Sequence, residues 1–334
     1  MHQFKGILIV VIMLWGSSCA STRHAGISGS EGLFSFALIG DMPYAPGDVP
    51  RFEQLTKEIN AEVNVDWVLH VGDIKTGGSS CSDAFLESRL ALLQQFNKPL
   101  VIIPGDNEWT DCHRPTAGKF QPLERLGKLR TLLYPVPGQS LGGKTLLMDT
   151  QAADPAFAEF PEHVRWIRNG VVLSTLHIVG SMNGMAPFPG RTAADDQEAT
   201  RRMDAAVEWM EDTFAVARES DSPGVFLMMH ASIGFTQATK QPVFASFLET
   251  LEREAIRFGK PVMLAHGDSH YFRIDKPLVH SSTGRRIENF TRVEAFGAGD
   301  VHWLRVTVDP EDENVFEVKQ EIVRENLIPH AIPN

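Results

Sequence analysis

Five apolar runs along the chain end in side chains that bind hard cations. LFSFALIG stops at Asp41, DWVLHVG at Asp73 and PLVIIPG at Asp106, each through a Gly-Asp step. GVFLMMH ends on His230, and PVMLAHGDSH runs into Asp268 and His270. In open α/β sheets, ligands bind beyond the carboxyl ends of the strands, so all six side chains are expected along one edge. Four carboxylates gathered there would repel one another and drive their pKa values apart. Cations relieve that repulsion, and two imidazoles add nitrogen donors to the oxygens. A single Gly-Asp step reads equally well as a turn or a helix cap, and a lone histidine as a satisfied core residue. The ordered set is what points to a metal site.

The elements that must carry these residues are legible from spacing. Asp41 and Asp73 lie 32 residues apart, and Asp73 and Asp106 lie 33 apart. That length suits a strand, a crossover helix and a return strand, which makes the three strands parallel. Phe52, Leu55 and Ile59 recur at helical spacing after a cap at Asp48 with Pro50 close behind. Leu86, Leu90, Leu93 and Phe96 form the next stripe. Residues 135–169, rich in Pro, Gly and Ala, read as a loop insertion. GVVLSTLHIVG is a strand, Met203, Val207, Met210 and Phe214 mark a helix, and Phe244, Phe247, Leu248 and Leu251 mark another. TRVEAFG, VHWLRVTVD and NVFEVKQEIV make the last third β-rich. One large mixed sheet system is the simplest reading.

Composition is that of a globular chain: 334 residues, 43% hydrophobic and 22% charged. A net charge of -11 argues against nucleic-acid binding, which needs a basic face, and against attraction to an anionic membrane. Residues 1–20 read as a signal peptide: a basic start, the run GILIVVIMLW, too short to span a bilayer, and the small residues GSSCAS. Cleavage before Cys19 would instead leave a lipid anchor there, although Gly16 stands where such signals usually carry leucine. The expected organisation is a signal at 1–20, a polar linker at 21–32, one domain at 33–324 and a tail at 325–334. The expected location is outside the cytoplasm: periplasmic, lipid-anchored or secreted, with no transmembrane span.

The order Gly-Asp, Gly-Asp, Gly-Asp-Asn-Glu, His and Gly-Asp-Ser-His resembles the calcineurin-like metallophosphoesterase superfamily. That family's pattern is Asp-x-His, Gly-Asp, Gly-Asn-His-Glu/Asp, His and Gly-His-x-His. The resemblance spans about residues 33–308. It implies an α/β sandwich of two mixed β-sheets flanked by helices. It also implies a dinuclear metal site and hydrolysis of a small phosphomonoester or phosphodiester by a metal-bound hydroxide. The metal ligands carried over are Asp41, Asp73 (the bridging position), Asp106, His230, Asp268 and His270, and Glu108 matches the family's acidic position.

Several positions depart from the pattern. Pro43 stands where the family has a metal-binding histidine, with Tyr44 beside it as a substitute, since phenolates ligate iron in one branch of the superfamily. Asp106 stands for an asparagine, Asn107 for the catalytic histidine and Asp268 for a histidine. Four aspartates would neutralise two divalent cations, weaken attraction for a phosphate dianion and make bound water less acidic. Hard donors favour Mn, Fe, Mg or Ca over Zn. Asparagine donates a hydrogen bond but delivers no proton. His113 is the nearest alternative catalytic group, and Arg114 beside it suits bidentate phosphate binding. Lys75 and His266 lie next to the motifs, Lys75 as a residue facing the site or a solvated one, His266 as support from behind the ligands.

Cys81 and Cys112 follow Asp73 and Asp106 by eight and six residues, in loops over the same edge. They either pair and brace those loops or remain two free thiols. Two other readings compete with an active phosphoesterase. One is a catalytically silent protein that binds metal or a phosphoryl ligand, suggested by Pro43 and Asn107. The other is a nuclease, which the acidic balance disfavours.

Overall fold

The computed structural model describes residue 1, residues 32–235 and residues 241–328. The expected signal peptide, Cys19, the linker up to residue 31 and the last six tail residues lie outside the described residues. Thirteen strands are described: β1 Phe34–Ile39, β2 Val68–His70, β3 Pro99–Ile102, β4 Leu141–Gly142, β5 Asp149–Thr150, β6 Val164–Arg168, β7 Val171–Thr175, β8 Val225–Met228, β9 Val262–His266, β10 Arg273–Asp275, β11 Phe290–Glu294, β12 Trp303–Val308 and β13 Phe316–Glu321. The main helices are α1 Val49–Ala61, α2 Asp83–Leu93, α3 Pro122–Leu133, α4 Ala193–Glu219 and α5 Ala245–Phe258.

Two mixed sheets result, ordered β13-β12-β1-β2-β3-β4 and β10-β11-β9-β8-β7-β6-β5. The core of each is parallel: β1, β2 and β3 in the first, β7, β8, β9 and β11 in the second. Antiparallel strands flank each parallel core. Parallel strands are buried on both faces, which is why β1, β7, β8 and β9 have continuous apolar burial rather than alternation. Phe36 of β1 meets Phe226 of β8 edge-on, with ring centroids 5.0 Å apart, so the sheets pack face to face.

The parallel β1-β2-β3 unit agrees with the 32- and 33-residue spacings. Other readings need correction. The reading of one mixed sheet system from the apolar runs alone does not hold, whereas the two mixed sheets flanked by helices are those the resemblance implies. The candidate site residues arise where two sets of strand ends meet. The region 135–169 is not a plain loop, because β6 within it pairs with β7 and extends the second sheet. Helix α3, whose buried Leu126, Leu129 and Leu133 recur at helical spacing, and the three-residue strand β10 lie outside the expected elements. The β-rich last third divides, with β11 parallel to β9 and β12 antiparallel to β1. Asp48 precedes α1, but its carboxylate accepts from the Ala45 amide at 2.8 Å instead of capping the helix. Among the described residues, no helix is long and apolar enough to cross a membrane.

Candidate metal centre

Each site residue sits just past a strand end, where the backbone must leave the sheet. Asp41, Asp73, Asp268 and His270 adopt φ of 52, 59, 75 and 59°. This left-handed region is one that Asp and His enter more readily than most non-glycine residues. The turn at each strand end thus aims the side chain back across the edge.

His230 stands at the centre, fully buried. Its Nδ1 lies 2.7 Å from the Val71 carbonyl, an acceptor only, so Nδ1 carries the proton. Its Nε2 lies 3.3 Å from Asp106 Oδ1, 3.4 Å from Asp73 Oδ1 and 4.0 Å from Asp268 Oδ1. Two groups of donor atoms form around it: Asp41, Asp73 and His230, then Asp106, His230 and Asp268, the atoms of each within 4.8 Å of one another. Burial alone would lower the His230 pKa, but Asp73, the Asp106 hydrogen bond, Asp268 and Asp41 raise it well above the ordinary value. Burial, against the attraction of His230, drives Asp73 well up, and burial also raises Asp268. Asp106 is held low despite burial, through His230 and the hydroxyl of Ser181. Without cations, these groups share protons instead of carrying full charge.

His270 joins through Asp41, its Nε2 3.4 Å from Asp41 Oδ1. It lies outside both groups of three. Both Asp41 oxygens also receive the Asp268 amide, at 3.1 and 3.2 Å. Tyr44 packs edge-on against His270, with ring centroids 4.5 Å apart. Its phenol is raised by burial and by Asp73, and its oxygen accepts from Asn107 Nδ2 at 3.1 Å. Asn107 also donates through Nδ2 to Asp73 Oδ2 at 2.5 Å and through its backbone amide to Oδ1 at 3.1 Å. Both hydrogens of the Asn107 side chain are therefore committed.

Other expected residues fall around the cluster. Glu108 is a brace: its Oε1 accepts the amides of Asp73 and Gly105 at 3.1 and 2.6 Å. Lys75 is wholly buried, its Nζ donating to the carbonyls of Asn107 at 2.6 Å and Thr76 at 2.8 Å, so the solvated reading does not hold. Burial lowers its pKa, opposed by Glu108 and Asp73. Arg114 pairs with Asp111 at 2.7 Å and stays 45% exposed. It crowds the Gly77 face where a Cβ would stand, together with Asn107 Oδ1 and Asp111 Oδ2, so a side chain there would displace it. His113 stands apart: its Nδ1 is 2.7 Å from the Thr110 carbonyl and its ring stacks on Phe188. His266 is buried behind Asp268, with Nδ1 2.9 Å from the Gly267 carbonyl, and burial lowers its pKa to about 3. Cys81 and Cys112 form a disulfide that joins the loops after β2 and β3, which excludes two free thiols there.

Sequence reasoning passed over Ser181, Asp111 and Glu294. Ser181 Oγ lies 2.5 Å from Asp106 Oδ2, and nothing in GSMNG marks it. Glu294 ends β11 and receives the Ser269 amide at 3.1 Å and Arg273 at 2.6 Å, which ties down the turn carrying Asp268 and His270. An acidic residue closing the run TRVE was the signal available.

A family model described as calcineurin-like phosphoesterase matches residues 34–272. Among solved structures, the chain is similar to GAP50, the anchor in the inner membrane complex of Plasmodium, with 9% identity and a TM-score of 0.48 over 88% of this chain and 90% of that one. It is similar to PhoD at 12% identity and TM-score 0.49, over 84% of this chain and 64% of that one. It is also similar to 5'-nucleotidase from Candida albicans at 11% and 0.43, over 86% and 50%. The chain thus spans less than two thirds of the length of the last two. No protein of curated function matches it.

Proposed function

Because the chain belongs to the calcineurin-like phosphoesterase family, we propose that it hydrolyses a small phosphate ester at a site holding two divalent cations. The observation that carries this reading is His230 Nε2, placed between two groups of carboxylates with its other nitrogen locked on Val71. That donor set fits metal ions: it is oxygen-rich, it holds one imidazole in a fixed tautomer, and its acids repel one another without a cation. Asp41 and Asp73 would hold one ion, with His270 beside Asp41. Asp106 and Asp268 would hold the other together with the single Nε2 lone pair of His230, Asp73 lying within reach of both. Hard donors favour Mn, Fe, Mg or Ca over Zn. Bound, the cations would neutralise phosphate charge and acidify water.

The protein's own groups supply orientation. Arg114 keeps guanidinium donors beyond its Asp111 pair for a phosphate oxygen. Asn107 has no spare N–H, so its part is to fix Asp73 and the Tyr44 oxygen. Tyr44 keeps its own hydrogen, which is free for a phosphate or leaving-group oxygen. We do not assign proton delivery to His113, whose ring is held by Thr110 and Phe188. Export is part of the same reading, supported by the disulfide, since such bonds persist in oxidising compartments.

A catalytically silent binding protein is the second reading, favoured by the committed Asn107 amide. One experiment separates the two: turnover of p-nitrophenyl phosphate and bis-p-nitrophenyl phosphate by the Mn²⁺-loaded protein from pH 6 to 10, with Asp73→Asn alongside. The expected result is turnover by wild type and a loss of more than about 100-fold in the variant, beyond what outer supporting residues typically cost. Mn²⁺ binding without turnover of either ester favours the silent reading, and failure of the wild type to bind Mn²⁺ overturns the hydrolytic reading and the metal-binding form of the silent one.

A further inference from the structure

Ser181, Met182 and Asn183 follow one another in the left-handed region, at φ of 50, 56 and 55°. Each such residue is disfavoured by the approach of its Cβ to the following carbonyl. Three in a row persist only where the surroundings enforce them. Arg202 of α4, fully buried, is the enforcer. Its Nη1 donates to Asn183 Oδ1 at 2.6 Å and to the His177 carbonyl at 2.9 Å, and its Nη2 to the Asn183 carbonyl at 2.9 Å. Asn183 Oδ1 also accepts the Val179 amide at 3.3 Å.

This turn presses against the acid cluster. A Cβ on Gly180 would lie 2.8 Å from Asp268 Oδ1 and 2.9 Å from Asp106 Oδ2, so only glycine permits the approach. Ser181 Oγ lies 2.5 Å from Asp106 Oδ2 and 3.2 Å from Asp111 Oδ1. A hydroxyl has one hydrogen, and the shorter contact takes it. Asp106 Oδ2 is thereby occupied, while Oδ1 is the oxygen turned toward His230 Nε2. The second Asp111 oxygen holds Arg114.

We propose that Ser181 is a positioning residue: its hydroxyl fixes Asp106 to offer one oxygen to the cation shared with His230 and Asp268. The proposal rests on the cation reading above. Its test is Mn²⁺ titration of the chelator-treated protein by calorimetry, with bound metal counted after gel filtration, for wild type, Ser181→Ala and Ser181→Gly. Glycine enters the left-handed region freely, so Ser181→Gly removes the hydroxyl while keeping the turn. Outer supporting groups typically govern affinity by about 10–100-fold, so both variants should bind one of two cations at least about tenfold more weakly and leave the other unchanged. Wild-type affinity at both positions in a natively folded Ser181→Gly overturns the proposal, and a lower melting temperature with unchanged affinity marks Ser181 as merely structural, which also overturns it. If wild type itself takes up no Mn²⁺, the cation reading falls and this proposal with it; if only the variants match wild type, the role of Ser181 alone falls.

Discussion

At the residue scale, the substitutions that seemed to impoverish the site rearrange its hydrogen bonds. Pro43 offers no ligand, but it carries the chain to Tyr44, whose ring leans on His270 and whose oxygen accepts from Asn107. Burial and the neighbouring acids raise the phenol, so it keeps its proton throughout the neutral and mildly alkaline range. That leaves Tyr44 a neutral hydrogen-bond donor to a substrate and a poor phenolate ligand before any cation binds. Tyr44→Phe should therefore lower kcat by about 100-fold, the lower bound typical for a proton-donating group, with Mn²⁺ content unchanged. Steady-state kinetics beside metal analysis would show this, and a loss below about threefold would remove Tyr44 from the reaction.

At the element scale, the short loops after β2 and β3 carry Asp73, Lys75, Asp106, Asn107 and Arg114. Beside the Asn107–Asp73 hydrogen bonds, three further ties hold them together. Lys75 binds the Asn107 carbonyl across the loops, Glu108 binds the Asp73 amide, and the Cys81–Cys112 disulfide closes the gap further out, with a sequence separation of 31. Arg125 of α3 donates to the Cys81 carbonyl at 2.8 Å, which couples an unforeseen helix to the same loops. Closing a loop of that length typically stabilises by about 2–4 kcal/mol through the unfolded chain. The Cys81→Ser/Cys112→Ser double variant should lose that much in a denaturant titration and should also bind Mn²⁺ more weakly. An unchanged unfolding midpoint would mean the loops hold without the covalent tie.

At the scale of the whole molecule, the site sets how stability follows pH. His70, His163, His177 and His266 are buried, with pKa lowered to between about 3 and about 4. The unfolded chain binds their protons near pH 6.5 and the fold does not, so stability rises with pH until about 6.5. Asp73, raised from the ordinary carboxylate range, begins to lower stability already above about pH 4. His230 is raised well above its ordinary value, so above about pH 6.5 the fold holds a proton that the unfolded chain has lost. Stability then falls as pH climbs, by about 1.4 kcal/mol per pH unit for each proton. The chelated protein should melt highest near neutral pH and lose stability toward pH 9. Cations replace those protons, so the Mn²⁺-loaded protein should keep its melting temperature over the same range. Calorimetry at pH 5, 7 and 9 with and without chelator tests both statements, and identical curves would refute them.

Much was legible without a structure because it is local. Strand runs closed by Gly-Asp and separated by a crossover length identified the parallel β1-β2-β3 unit, and the ordered acids and histidines pointed to the family and to Asp41, Asp73, Asp106, His230 and Asp268 as residues that meet. Less legible was what depends on pairing between distant segments. Strand β6 looks like loop until β7 pairs with it. Ser181, Arg202 and Glu294 reveal their places only when separate segments pack against the same aspartates. His113, close to the motif in the chain, is drawn off by Thr110 and Phe188. Backbone preference and hydrophobic period are properties of neighbouring residues and can be read along the chain. The orientation of a carboxylate, and which hydroxyl or guanidinium holds it there, depends on groups dozens of residues away, and only the packed tertiary structure decides it.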